Sequence, residues 1–235
     1  MYMRVLCGVV LGVCGVAGQA AEPDEGWTGR ADLGYFSQSG SGGGKESLTA
    51  KAEAARNFGE YRVENQAQAV SASDDKANSG TARYLLSSKQ SKKIAESEYL
   101  FLKEQWEKDS TSDFRYQMNI TGGYGRELIK NDAHTLTGEL GIGVRYSKRR
   151  VGKAETSPVG TGALDYKYAI SKTASFHQRV GVEGGTESII ARSLTELRVQ
   201  LREELGLAIG YDVKREFSDN NQRLSLTTIS LSYAF

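Results

Sequence analysis

The sequence predicts an all-β fold: a transmembrane antiparallel up-and-down β-barrel of about twelve strands, with both termini in the periplasm. Three observations predict it. Apolar and polar residues alternate with a two-residue period almost throughout. The connections between these segments are short and long by turns, and aromatic residues gather toward both ends of the segments.

The chain of 235 residues opens on a segment that stands apart from this pattern. Met1 to Ala20 reads as a secretory signal peptide, with Arg4 as its positive region, Val5 to Ala17 as its apolar core, and small residues at Gly18 and Ala20 for cleavage. Residues 21–26, with Pro23, read as a periplasmic linker, and residues 27–235 as the barrel. A buried N-terminal helix is the alternative, but nothing later in the chain has a helical period for it to pack against. Lipid attachment at Cys14 is disfavoured because Val13 stands where a small residue is wanted. Cys7 and Cys14 are the only 2 cysteines, so a mature chain has neither a disulfide nor a thiolate metal site.

Charge and hydropathy exclude two classes. With 30 Lys+Arg against 29 Asp+Glu, and Arg4 the one charge in the signal, there is no electrostatic footprint for nucleic acid. Mean hydropathy is −0.46, and no later apolar run approaches the ~18 residues of a spanning helix. The 27 glycines and 12 tyrosines with only 2 prolines suit strands joined by tight turns.

Turn residues between the alternating runs place the strands near 27–39, 45–56, 60–72, 79–90, 94–107, 114–129, 134–148, 159–170, 174–186, 193–202, 205–216 and 223–235. In the sixth, Phe114, Tyr116, Met118, Ile120 and Tyr124 oppose Arg115, Gln117, Asn119 and Thr121. In the seventh, Leu136, Leu140, Ile142, Val144 and Tyr146 oppose Thr135, Thr137, Glu139 and Arg145. In the eleventh, Leu207, Ile209, Tyr211 and Val213 oppose Asp212 and Lys214. The last sets Ile229, Leu231, Tyr233 and Phe235 against Ser230, Ser232 and Ala234. The fifth has apolar residues on both faces, Leu100 and Leu102 against Tyr99 and Phe101, so a bulge or register change is expected there.

Connections after even strands read as short turns, such as Asn57–Gly59 and Ser91–Lys93. Those after odd strands read as longer loops: Gly40–Gly44, Ser73–Asn78, Lys108–Asp113, Ser147–Pro158, Gly184–Arg192 and Phe217–Gln222. A soluble sandwich has no reason to sort its loops by parity, whereas an outer-membrane barrel does. Trp27, Phe58, Tyr61, Tyr124, Tyr166, Tyr168, Phe176, Tyr233 and Phe235 mark one interface girdle. Tyr35, Trp106, Phe114, Tyr116, Tyr146, Tyr211 and Phe217 mark the other. Pro23 and Pro158 both fall outside the expected strands, as closed ladders require.

Trp27-Thr28-Gly29-Arg30-Ala31-Asp32-Leu33-Gly34, followed by the Gly/Ser turn Ser39–Gly44, resembles the opening of the YdiY-like salt-induced outer-membrane proteins. Gly122-Gly123-Tyr124-Gly125 resembles that family's central Gly-rich strand, and Ile229 to Phe235 its closing strand. The ending also resembles the C-terminal aromatic signal, here Tyr233 and Phe235, by which barrels are recognised for assembly. The resemblance implies a barrel in the cell outer membrane, with the assembly machinery, lipid and lipopolysaccharide as partners. It supplies no catalytic residue, cofactor or metal.

The polar strand faces predict a lumen lined by Arg30, Asp32, Lys51, Glu53, Arg62, Glu64, Arg83, Arg115, Glu139, Arg145, Arg179 and Arg198. Gln66, Gln68, Asp165, Lys167, Glu183, Glu196, Gln200, Asp212 and Lys214 share these faces. Pairs two apart, Arg30/Asp32, Lys51/Glu53 and Arg62/Glu64, would neutralise each other in a narrow interior. The expected function is a narrow porin-like passage for ions or small polar solutes. The alternative is a non-conducting structural or stress-response barrel whose loops bind lipopolysaccharide or an envelope partner. An outer-membrane lipid hydrolase would need a Ser–His constellation, and Ser175 and His177 share a face. Both histidines follow short turns, so they stand at the wrong end for outer-leaflet lipid. Gly40 to Lys45 lacks the strand-to-helix context of a phosphate loop and reads as a hairpin tip. Asp74, Asp75 and Asp109 are candidates to touch divalent cations or lipopolysaccharide at the surface.

Overall fold

The alternation described above folds into twelve strands. In the computed structural model, which describes residues 26–38, 45–74, 79–186, 188–218 and 222–235, they are β1 (Thr28–Gln38), β2 (Lys45–Phe58), β3 (Tyr61–Asp74), β4 (Ser79–Ala95), β5 (Glu98–Asp109), β6 (Phe114–Lys130), β7 (His134–Arg149), β8 (Ala154–Ala169), β9 (Ala174–Gly185), β10 (Ile189–Gln200), β11 (Leu205–Phe217) and β12 (Gln222–Ala234). The expected signal segment and, apart from Gly26, the linker lie outside the described residues.

Each strand pairs antiparallel with its chain neighbours, and β1 pairs with β12 from Arg30↔Ala234 to Tyr35↔Ile229, so the sheet closes on itself. Closure leaves no edge to attract another strand. Followed once around, the register returns to β1 about 16 residues from its start, which sets a steep strand tilt. The start of β1 meets the chain's last residue at the seam: the Gly29 N–H donates to the Phe235 carbonyl at 2.8 Å, and the Phe235 N–H donates to the Gly29 carbonyl at 3.0 Å.

Side chains alternate between the two walls as the sequence pattern requires. Asp32 is 9% exposed beside Leu33 at 60%, and Arg145 is 1% exposed beside Val144 at 49%. The barrel is thus apolar outside and charged inside, the inverse of a soluble core.

Three expectations change. The loops are less unequal than their sequences suggest: 110–113 and 150–153 are no longer than the turns 170–173 and 201–204 at the other end. The strands run on instead, because β8 begins at Ala154, β10 at Ile189, and β5 extends to Asp109. Pro158 therefore lies inside β8, paired with Val144. Its carbonyl faces Gly185, just past the last β8–β9 pair Val159↔Gly185, so its nitrogen points where the ladder has ended. The irregularity expected in the fifth strand sits in its partner, a register shift between Lys93 and Ala95 of β4. β5 itself is regular, with Leu100 and Leu102 outside and Phe101 buried inside.

The Gly-rich segment of β6 has a packing reason. Tyr99 and Phe101 stand on Gly125 and Gly123, their direct partners across the β5–β6 ladder. A Cβ on Gly123 would lie 2.2 Å from the Leu140 carbonyl oxygen and 2.7 Å from the Phe101 ring, and one on Gly125 would lie 2.2 Å from the Tyr99 ring. Only glycine lets these aromatics lie flat on the inner wall.

Candidate functional site

Charged residues converge in the lumen at two levels. Near the end where β1 begins and β12 ends, the contacts run within a strand or between strands no more than three places apart around the ring. The three pairs two residues apart all form: Arg30–Asp32 at 3.0 Å, Lys51–Glu53 at 2.8 Å and Arg62–Glu64 at 3.2 Å. Arg30 also reaches Glu53 at 2.8 Å. Arg198 bridges β10 to β1 through Asp32 at 3.1 Å, while holding Glu196 at 2.8 Å and Ser232. Lys89 spans from Glu64 at 3.0 Å to Glu139 at 2.8 Å, and the Tyr99 hydroxyl donates to Glu139 at 2.6 Å. These contacts line the wall.

Toward the other end the contacts cross the axis. Glu107 on β5 takes three cations: Arg83 of β4 at 3.3 Å, Arg192 of β10 at 2.6 Å and Lys214 of β11 at 2.9 Å. β5 and β11 stand halfway round the ring from one another. Lys214 also holds Asp109 at 2.9 Å and Glu216 at 3.4 Å. Arg192 continues the layer to Glu183 at 3.4 Å, which Arg145 meets at 3.1 Å and Asn119 at 2.8 Å. The Ser112 hydroxyl donates to Glu216 at 3.1 Å. Glu107, Asp109, Lys214 and Glu216 are buried, so water and salt screen this layer far less than a surface pair.

Arg30, Asp32, Lys51, Glu53, Arg62, Glu64, Arg83, Glu139, Arg145, Arg179 and Arg198 stand on the inner wall, and each belongs to the pairs above or to the Asp165 cluster below. Arg115 does not. A register shift between Phe114 and Tyr116 puts Arg115 on the outside and turns Phe114, expected in a girdle, into the buried interior. In a bulge two residues oppose one, so alternation skips a beat. Glu107, Arg192 and Glu216 were not expected in the lumen. The continued alternation of Lys103, Glu107 and Asp109 with Phe101 was the available sign. It was masked because both faces of β5 are apolar at its start.

Asp109, expected at the surface, is instead an interior partner of Lys214. Asp75 lies outside the described residues. His177 Nε2 meets Asp165 Oδ2 at 3.0 Å, and Arg179 shares the same carboxylate oxygen, so His177 is one member of a charge cluster. His134 stacks on Tyr168 with ring centroids 4.6 Å apart and bonds the Tyr166 hydroxyl at 2.8 Å, within the girdle. Among the described residues no group of His, Cys, Asp and Glu is arranged to hold a metal ion.

Comparison with known proteins agrees with this architecture. The family described as "Protein of unknown function, DUF481" matches residues 31–235. A relative from Escherichia coli (strain K12), described as "Uncharacterized protein YdiY", is 28% identical over 188 residues, 79% of this chain and 72% of that protein. Among solved structures, a NanC porin superposes with a TM-score of 0.54 at 10% identity, covering 87% of this chain and 98% of that one. An outer-membrane channel from Pseudomonas putida F1 gives a TM-score of 0.54 at 9% identity, covering 94% of this chain and 100% of that one. At such identities the shared property is the fold, a closed antiparallel barrel of the outer-membrane type.

Proposed function

The chain belongs to the family described as Protein of unknown function, DUF481, and on that footing we propose that it is an outer-membrane barrel forming a narrow porin-like passage for ions or small polar solutes. The observation that carries this reading is the layer in which Glu107 meets Arg192 and Lys214 across the axis, on a lumen wall that is charged rather than apolar. Both signs alternate along that wall, which favours weak ion selectivity. The layer makes the limiting cross-section small and independent of the loops. In this reading the signal peptide 1–20 is removed, the termini and short turns face the periplasm, and the charged layer lies in the outer half. The strand ending in Tyr233 and Phe235 then serves the assembly machinery, and the opposite loops meet lipopolysaccharide.

Planar-bilayer recording tests it. Wild-type protein is expected to give small, reproducible single-channel steps. The paired variant E107Q/K214M, which removes both signs together, is expected to enlarge them several-fold. Absence of steps from both proteins, each shown to be folded by heat-dependent migration on gels, would overturn the passage. The bridging that narrows the lumen also favours a second reading, a non-conducting structural or stress-response barrel that engages lipopolysaccharide or another envelope partner. That silent outcome is what this second reading expects.

A further inference from the structure

We propose that a chamber inside the lumen, beneath the charged layer, binds a small organic cation, with Asp212 recognising its positive charge. The chamber is a cavity of about 70 Å³ set against β1–β3 and β10–β12. Gly34 and Gly210, which put no side chain into the lumen, help to make the room, and Leu194 and Leu226 give it an apolar side.

Asp212 is the unmatched group. Among the described residues the other carboxylates of the lumen interior each have a cation within 3.4 Å, whereas the nearest cation to Asp212 is Arg83 Nη1 at 4.0 Å. Arg83 is itself engaged with Glu107 at 3.3 Å. A carboxylate lifted partly out of water and left so poorly paired favours a mobile cation beside it. The other charges of the lining are paired. Asp32 and Glu196 also border the chamber, both held by Arg198, and its one lining cation, Lys51, is likewise held, by Glu53 at 2.8 Å, so Asp212 is the charge left open to the chamber. Neutral hydrogen-bonding groups complete the site. Thr49 Oγ1 is buried without a partner among the described residues, and the Gln66 and Gln68 amides line the same space. These groups suit the hydroxyl or amide of a polar organic cation better than a bare metal ion, for which the described residues hold no cluster.

Binding in the chamber needs entry from one end only, so it stands or falls apart from conductance. The test is calorimetric titration of the folded full-length barrel in detergent with ethanolamine hydrochloride at constant ionic strength, with sodium acetate and glycerol as comparison probes. Saturable binding of ethanolamine alone is expected. Asp212→Asn, which breaks no ion pair shorter than 4.0 Å, is expected to weaken it at least tenfold. Gln68→Leu is expected to weaken it about threefold while leaving the charge in place. No saturation with ethanolamine, equal affinity in Asp212→Asn, or comparable binding of acetate would each overturn the proposal.

Discussion

Glu107 and Lys214 meet across the barrel axis, Oε1 to Nζ, at 2.9 Å, from strands on opposite sides of the ring. Both side chains are buried, and each serves a second partner of its own wall or the far one. Glu107 holds Arg192, and Lys214 holds Asp109. A contact of this kind acts as a strut, so its removal bears on stability and on the open width of the lumen together.

Neutralising one end of the strut leaves the other charges buried without their counterion. Glu107→Gln is expected to lower stability by about 3–5 kcal/mol, because Arg83, Arg192 and Lys214 all lose the same carboxylate. The paired change E107Q/K214M should cost much less than the sum of its parts. Urea unfolding midpoints of the two single variants and the pair, followed by tryptophan fluorescence in detergent, measure that coupling. Additive losses would mean that the two groups do not interact.

Arg115 lies outside the lumen and supplies the contrasting case. Arg115→Ala is expected to leave single-channel steps and their salt dependence unchanged within error. A change as large as that of E107Q/K214M would place Arg115 inside after all.

The aromatic–glycine seat of β5 on β6 is testable by filling it. In Gly125→Ala the new methyl would lie 2.2 Å from the Tyr99 ring and displace a hydroxyl that bonds Glu139 at 2.6 Å. A loss of about 1–3 kcal/mol is expected from such overpacking. Tyr99→Ala in the same chain should recover part of it, since the clash then disappears. No recovery would locate the cost in the backbone rather than the ring.

At the seam, Phe235 supplies two backbone hydrogen bonds to Gly29, and its ring covers the space a Gly29 side chain would fill. Deleting Phe235 is expected to reduce the refolded fraction at least several-fold and to lower the temperature at which the compact gel band is lost. Gly29→Leu should do the same by displacing the ring. A deletion variant with wild-type yield and melting would remove Phe235 from closure.

Much of this molecule was legible because strand structure is local. Side chains alternate across a strand by backbone geometry alone, so Asp32 against Leu33 and Arg145 against Val144 could be sorted into inner and outer walls from the chain. The three charge pairs two residues apart form because that spacing puts both partners on one face of one strand. Prediction failed where one residue breaks the count. The register shift at Phe114 and Tyr116 moved Arg115 outward and Phe114 inward, and no residue there announces a bulge. It also failed at strand ends, where Asp109 and Pro158 read as loop yet lie within β5 and β8.

About twelve strands with an apolar outside and a charged inside were readable from the chain alone, because both follow from a two-residue period and its interruptions. Which charges face one another was not readable until the barrel closed. Whether Glu107 reaches Lys214, and whether Asp212 is left over, depends on the shear and tilt with which the last strand joins the first. Those are properties of closure, set by the sum of every pairing around the ring and by no segment of it.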